Sequence, residues 1–549
     1  MPYHQPDVLD FQHARWLKRE VSFSGHGGVH QYCRNLAQEV LRAEGRKGRR
    51  DFLENIERAF GVILADLYQT HHRDPSKLIM VSLANGAYQQ SPYNPNRLGI
   101  RAVRSVINFM KDAEPPYVES YGGNRDHQRE RGYPTRIRAT RRLIDELDEV
   151  ILIGEGGEEN PGGEIHRPIT RNTLEGNHNH PDFLGIFRKE PLPLIRLKSP
   201  RDGDNGSPRF LPFAQTPETQ RMTGNLNRIN SFIDEHWIDL ILSNEEFSRL
   251  SSFRDEEVDE FGERAEVRQD LDLLLSRELY RVFNNGDFDQ GGRFYGGWWQ
   301  GIPRQYRRFI TINGYPTAEL DYSNMQIAML YAQVGEALND DAYSLEGFPA
   351  SHRRLLKTTL LKMINADGVI PPPRINERPD GWEWNQIQEA LREKHQPIAR
   401  YFNSGIGVRL QRIDSDIAER VVLAMRERGA LALPIHDSFI VWEGRQDQLR
   451  TAMADAYREC VGGDVGVDAD GRLFPNLPHN IDEARRLGFD AFEEYARELE
   501  NVADVDRADH MARFEERREF EAYRGRRRAF VEQKVARHGQ EWLRNRHFL

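Results

Sequence analysis

Two aspartates sit where β-type runs end, and the residues around each permit few local folds. The first is Asp321, in Ala318-Glu319-Leu320-Asp321-Tyr322-Ser323. Thr317 to Asp321 alternates polar and apolar residues, as a half-buried strand does. After Ser323 the period changes, and Met325, Ala328, Met329 and Ala332 recur at helical spacing. Asp321 is therefore expected at the carboxyl end of a strand that runs straight into a helix, where its side chain is rigidly aimed. The second is Asp437, in Leu433-Pro434-Ile435-His436-Asp437-Ser438-Phe439-Ile440-Val441. Here the pattern reads strand, tight turn, strand, which puts Asp437 at a hairpin tip. Two carboxylates on adjacent strands can hold a pair of divalent cations, the arrangement that serves in-line phosphoryl transfer.

The residues around this pair extend the chemistry. Arg353 and Lys357 are four apart, hence on one face of a helix that continues through Lys362 and Asn365. Two cations on one face suit a triphosphate. Gly291-Gly292-Arg293-Phe294-Tyr295-Gly296-Gly297-Trp298-Trp299-Gln300 combines glycines that permit close backbone approach with an arginine and aromatics that can grip nucleic acid.

Composition sets the frame for these sites. At 549 residues the length favours several domains. The 30% charged and 38% hydrophobic content is that of a water-soluble chain able to form cores. A formal net charge of -10 argues against wholesale coating of nucleic acid but leaves local basic surfaces open. Only Cys33 and Cys460 are present, without metal-ligand spacing, so neither a disulfide framework nor a zinc site is expected. No apolar run approaches the ~18 residues of a membrane span. Met1 to Asp10 is polar and lacks a signal-peptide pattern, so no membrane partner and a cytoplasmic location are expected.

Along the chain, residues 1–150 read as one unit. Helical patterns at Phe52–Tyr68 and Asn96–Lys111 are followed by two strand candidates that bracket a Gly- and Arg-rich loop. That order predicts a winged-helix nucleic-acid-binding domain. Arg125 to Arg142 holds seven arginines against Asp126 and Glu130. Arg129, Arg131, Arg136 and Arg138 are accordingly candidate nucleic-acid contacts. Residues 151–215 read as a linker with extended segments, and 216–290 as a helical, thumb-like region. The chemistry falls in 291–463, and 464–549 is charged and mostly helical in character.

At Asp321, Arg353, Lys357 and Asp437 the chain resembles the family A DNA polymerases and the related single-subunit phage-type RNA polymerases. Leu320-Asp321-Tyr322-Ser323 resembles their first palm motif, and Arg353 with Lys357 their finger-helix motif. His436-Asp437-Ser438-Phe439 resembles their last palm motif. Gly292-Arg293 with Gln300-Gly301-Ile302-Pro303 is similar to their Gly-Arg…Gln-Asn-Ile-Pro stretch. Gln411 to Ile417 is similar to a further helical segment. All five elements keep the family's order over Arg281 to Trp442. The string from Phe283 to Gln300 also resembles bacterial proteins of unassigned function.

The resemblance implies an α+β right-hand fold: a palm with an antiparallel sheet, reduced helical fingers and a small helical thumb, preceded by the winged helix. It implies two Mg²⁺ ions, replaceable by Mn²⁺, on Asp321, Asp437 and the Tyr322 backbone. Arg353, Lys357, Gln326, Leu361 and Asn365 would face the nucleotide. Arg293, Gln300, Gln411 and His436 would face the primer or its minor groove. DNA or RNA and nucleoside triphosphates would be the partners, alongside a protein partner or a second copy of the chain. Asn365 stands where the family carries an aromatic, Leu361 where it carries an aromatic or Met, and Gln326 where its DNA enzymes often carry a glutamate that excludes ribose. The expected activity is a polymerase-like nucleotidyltransferase adding nucleotides to a 3′-OH. Two alternatives stand beside it. One is an untemplated or short-product synthesis enzyme in antiviral defence or mobile-element replication. The other is a non-enzymatic DNA-binding initiator or regulator with a vestigial palm.

Overall fold

A computed structural model describes residues 14–23, 27–45, 50–73, 75–85, 87–122, 125–126, 131–132, 134–153, 186–200, 209–240, 254–258, 264–268, 277–338, 340–372, 379, 381–470, 518–539 and 542. These fall into two compact units of a mixed α/β protein, one within Met1–Pro193 and Ala522–Ala529, the other within Leu194–Glu521 and Phe530–Leu549. Among the described residues no helix is long and apolar enough to cross a membrane.

In the first unit, helices α1 (Gly27–Ala43), α2 (Arg50–Arg73), α3 (Ile100–Asp112) and α4 (Arg141–Ile153) pack around a four-stranded sheet. Its strands run β1 (Arg15–Trp16), β3 (Ile79–Val81), β7 (Thr135–Ala139), β4 (Val118–Tyr121). A separate pair joins β2 (Val21–Phe23) to β8 (Phe187–Lys189). The α3 stripe of Val103, Val106, Ile107 and Met110 is buried, as its spacing requires. Between β4 and β7 lies the two-residue ladder of β5 (Arg125–Asp126) and β6 (Arg131–Gly132). On α2, burial holds the His71 imidazole down near pH 4, with the neighbouring His72 adding to the depression. A neutral histidine favoured by the fold contributes stability above pH 6.5 that is lost as pH falls toward 4. Acid titration of the melting temperature should therefore show an earlier loss in the parent than in His71→Gln.

The second unit is built on two sheets. One runs β10 (Phe210–Leu211), β9 (Ile195–Lys198), β14 (Tyr280–Phe283), β15 (Gly291–Tyr295). The other runs β11 (Ile238–Leu240), β16 (Ile310–Ile312), β17 (Tyr315–Tyr322), β19 (Ser438–Trp442), β18 (Leu433–Ile435), with β20 (Val467–Asp470) also paired to β17. A hairpin of β12 (Arg254–Val258) and β13 (Arg264–Arg268) stands apart from both sheets. The sequence patterns at 151–215 and 216–290 predict a linker and a helical region; here the structure differs. Ile195 and Leu197 alternate inward and are buried, so this proline-flanked stretch forms a core strand. Beyond helix α5 (Pro217–Asp234), the short apolar runs at Ile238–Leu240 and Tyr280–Phe283 pair as strands.

Helices α7 (Met325–Gln333), α8 (Arg353–Asn365), α9 (Trp384–Lys394), α10 (Gly407–Glu427) and α11 (Gln446–Val461) share one apolar core with these sheets; the short α6 (Arg304–Arg307) precedes β16. The long α10 lies against β15 and α11. A charged helix α12 (Arg518–His538) is described in the 464–549 region. Its Lys534 ammonium reaches the Asp234 carboxylate at 2.5 Å.

Candidate active site

The strand-to-helix passage at Asp321 and the hairpin at Asp437 form as their patterns require. β17 carries Asp321 one residue from its end, and α7 begins three residues later, after Asn324 adopts a left-handed φ of 55°. Ile435 pairs with Ser438, which leaves His436 and Asp437 as a two-residue turn, with His436 at φ 53°. β17 and β19 pair antiparallel so that Asp321 faces Ser438, and the Tyr322 amide donates to the Asp437 carbonyl at 3.3 Å. The two aspartates thus occupy adjoining ends of neighbouring strands. The Tyr322 ring is buried beneath them and anchored by its hydroxyl to the Met453 carbonyl at 2.7 Å.

The electrostatics are those of a crowded carboxylate site. Burial, with the Asp437 and then the Glu319 charges adding to it, pushes the Asp321 carboxyl up to about 7. Lys357 and Arg304 pull it the other way. The Asp321 Oδ1 atom is buried without a hydrogen-bond partner. An orphaned buried carboxylate oxygen beside a second carboxylate is a poor arrangement for a bare fold and a suitable one for a cation. Among the described residues no cluster of three or more His, Cys, Asp or Glu side chains is arranged to hold a metal. Two carboxylates still fit Mg²⁺, which keeps waters and takes further ligands from substrate phosphates.

Glu319, which no motif marks, belongs to this region. It shares a β17 face with Asp321, accepts from the Ser438 hydroxyl at 2.6 Å and pairs with Arg307 at 2.9 Å. Asp414 of α10 is a second unmarked acid. Burial raises its carboxyl to about 6 against the pull of Arg293, whose Nε lies 2.9 Å away. Arg293 therefore ties β15 to α10. His436 is held neutral, down near 4, by burial and the Arg293 charge, with Asp437 opposing.

On α8, Arg353 is paired through two bonds to Asp341, at 2.9 and 2.8 Å. Its guanidinium and the Lys357 ammonium sit 5.0 and 5.6 Å from the centre of the Tyr343 ring. Lys357 makes no ion pair among the described residues and acts on Asp321 through its charge. Gln326 and Asn365 touch each other: the Asn365 amide donates to Gln326 Oε1 at 3.1 Å and to the Leu361 carbonyl at 2.9 Å. Gly407 at the start of α10 is pressed onto this pair, and a Cβ there would lie 1.9 Å from Asn365 Oδ1. Gly407→Ala should therefore cost about 1–3 kcal/mol of stability through overpacking, measured by denaturant titration.

Other candidates fall elsewhere. The Gln300 amide donates to the Phe294 and Pro434 carbonyls at 3.0 and 3.2 Å and accepts from the Gly297 amide, which makes it a strut between β15 and β18. Gln411 is buried on α10. Arg138 faces Glu119 across the β4–β7 ladder and is buried against it, Nε to Oε2 at 3.0 Å, so its charge is internal to the first unit. Arg136 is half-buried in the same strand. Arg129 and the Arg131 side chain lie outside the described residues.

No protein-family model and no curated protein matches the chain. Among solved structures, the chain is similar to the POL domain of Pol1 from M. smegmatis in complex with DNA primer-template and dNTP. That likeness has 10% identity and a TM-score of 0.27, and covers 82% of this chain and 66% of the other, just under two thirds of its length.

Proposed function

We propose that the second unit is a metal-dependent nucleotidyltransferase that extends a 3′-OH with nucleoside triphosphates. The observation that carries this reading is the Asp321–Asp437 pair at adjoining strand ends, with a buried Asp321 oxygen lacking any partner. Asp321, Asp437 and the Tyr322 carbonyl would hold Mg²⁺, with Mn²⁺ as a substitute. When bound, the ions would neutralise phosphate charge and acidify the attacking hydroxyl. Lys357 faces this position and stabilises triphosphate charge. Arg353 exchanges Asp341 for a phosphate oxygen as substrate enters. Arg293, held by Asp414, and the neutral His436 orient the primer end, with Glu319 and Ser438 fixing the turn that carries Asp437. Gln326 and Asn365 act as one amide pair at the sugar and base, with Leu361 beside them. The first unit, with helices on a sheet of order β3-β7-β4 and a basic hairpin between β4 and β7, is proposed as a winged-helix nucleic-acid module acting through Arg129, Arg131 and Arg136.

A cation-binding measurement tests the metal assignment apart from turnover. Because the folded state raises the Asp321 pKa above its unfolded value of 3.8, the group's contribution to stability is lost as pH rises from there through about 7. Asp321→Asn removes that loss, so it should melt higher than the parent at pH 8 without metal. Mg²⁺ should then raise the melting temperature of the parent and leave the variant unmoved. A parent indifferent to millimolar Mg²⁺ and Mn²⁺ would remove the metal assignment.

The Gln326–Asn365 contact favours a second reading, synthesis with little or no template. Two small, mutually bonded amides offer no broad ring on which a templating base would pack. Primer incubated with each nucleotide, with and without template, separates the two: template-independent tailing supports this reading, and extension only along template supports the first.

A further inference from the structure

A loop ahead of α8, which no motif includes, supplies the carboxylate that Arg353 holds. Asp341 takes the Nε and one Nη of Arg353, at 2.9 and 2.8 Å. This is the same side-by-side fork that an arginine offers to a phosphate. The two side chains are 51% and 40% exposed, so water screens the pair and it is exchangeable. Lys357, one turn further along α8, lies over the same Tyr343 ring and is exposed.

The loop is placed more firmly than the pair. Nε2 of the buried His395 lies 3.0 Å from the Ala342 carbonyl. Lys394 bonds the Asp340 carboxylate at 2.7 Å and the Ser344 hydroxyl at 3.3 Å. The Tyr343 amide donates to the Asp341 carboxylate at 3.1 Å, and Ala342 and Tyr343 are both buried. Rotation of one side chain therefore frees Arg353, while the loop keeps the released carboxylate beside it. Any anion that takes Arg353 has a replacement within reach.

We infer that Asp341 is an internal replacement anion, which yields Arg353 to an entering triphosphate and reclaims it to release pyrophosphate. The inference rests on the nucleotidyltransferase reading for its substrate and product, and deepens it by naming what clears the site. Addition joins the 3′-oxygen to the α-phosphorus and breaks the bond from that phosphorus to the α–β bridging oxygen. Pyrophosphate leaves with that oxygen and the electron pair, and the hydroxyl proton goes to water. Substrate and product present the same kind of oxygens to Arg353 and Lys357, so these cations alone would hold both. The triphosphate is also tethered through its nucleoside, which keeps it in place while Arg353 changes partners. Pyrophosphate has lost that tether, so competition from Asp341 weighs more against it.

Calorimetric titration of the full chain with pyrophosphate in EDTA, without nucleotide or primer, tests the inference. Asp341→Asn, whose amide oxygen still accepts from the Tyr343 N–H, should bind pyrophosphate about 3- to 10-fold more tightly than the parent. Asp341→Glu, which restores the carboxylate, should bind within about twofold of the parent. Asp340→Asn removes an equal charge that Lys394 holds rather than Arg353, and should also stay within about twofold. In primer extension, Asp341→Asn should lower the KM for nucleotide and the inhibition constant of pyrophosphate together. Equal or weaker pyrophosphate binding by Asp341→Asn would overturn the inference, as would an equal gain in Asp340→Asn. The expected binding results without primer extension would count against the polymerase reading alone. Primer extension with pyrophosphate affinity unchanged in Asp341→Asn would count against this inference alone.

Discussion

Under the proposed function, Asp437→Asn and Asp321→Asn should each lower the rate of nucleotide addition by at least about 10³-fold, the loss expected when several kcal/mol of charge stabilisation at the reacting phosphate disappears. The two variants differ in everything else. Asp321→Asn removes a carboxylate that burial and two neighbouring acids disfavour, so the inactive protein is the more stable one without metal. Asp437→Asn also relieves Asp321 of a repelling charge, which brings the Asp321 carboxyl back toward its ordinary range. Both effects follow from a carboxylate pair that the fold holds at a cost to stability. Activity measured as kcat, with melting temperatures with and without Mg²⁺, reads both. Equal activity in either variant would remove the carboxylate pair from the mechanism.

Arg281→Met destabilises the second unit by about 3–5 kcal/mol, and its melting temperature falls by on the order of 10 °C. Arg281 is wholly buried and makes four bonds: to the Gly292 carbonyl at 2.7 Å, Glu419 at 2.9 Å, Ser415 at 2.7 Å and Asp416 at 3.0 Å. Glu419 is held in addition by Asn225 and Arg221, at 2.6 and 2.7 Å. The network therefore joins α5, β14, β15 and α10, the elements that support Arg293 and Asp414. Gly292, at φ 84°, is required here because a Cβ would meet Phe283 at 2.7 Å and Ser415 at 2.9 Å. Removing the cation takes from the buried Glu419 its most deeply buried partner and leaves Asn225 and the half-exposed Arg221 to offset its charge, and that, rather than the lost attraction, supplies most of the cost. The double variant Arg281→Met with Glu419→Leu should recover part of the stability. A double variant no more stable than the single one would contradict this account.

The sequence announces the placement of the two aspartates more clearly than the contacts around them. Asp321 and Asp437 were legible because a change of period and a turn between apolar runs are local signals. Arg353 and Lys357 were legible from one helical interval. The partners that decide what these residues can do were not, since Asp341, Tyr343, Glu319, Asp414 and Arg281 act through contacts between distant segments that no spacing encodes. Gln300 and Arg138 illustrate the converse. Each is expected from its sequence context to contact nucleic acid, and each is turned onto nearby backbone or an opposing acid that only the folded register supplies. The strands at 195–198 and 280–283 were obscured for the same reason: short apolar runs beside prolines and charges carry no period long enough to separate linker from core.

The central claim, that the Asp321–Asp437 pair performs metal-dependent nucleotide addition, is met most directly by one primer-extension experiment. A labelled primer, alone and annealed to template, is incubated with dNTPs or NTPs in Mg²⁺ or Mn²⁺, with the parent protein and Asp437→Asn side by side. The account predicts metal-dependent lengthening of the primer by the parent in at least one lane, and none by the variant. Primer left unextended by the parent in every lane, or lengthened equally by Asp437→Asn, would contradict it.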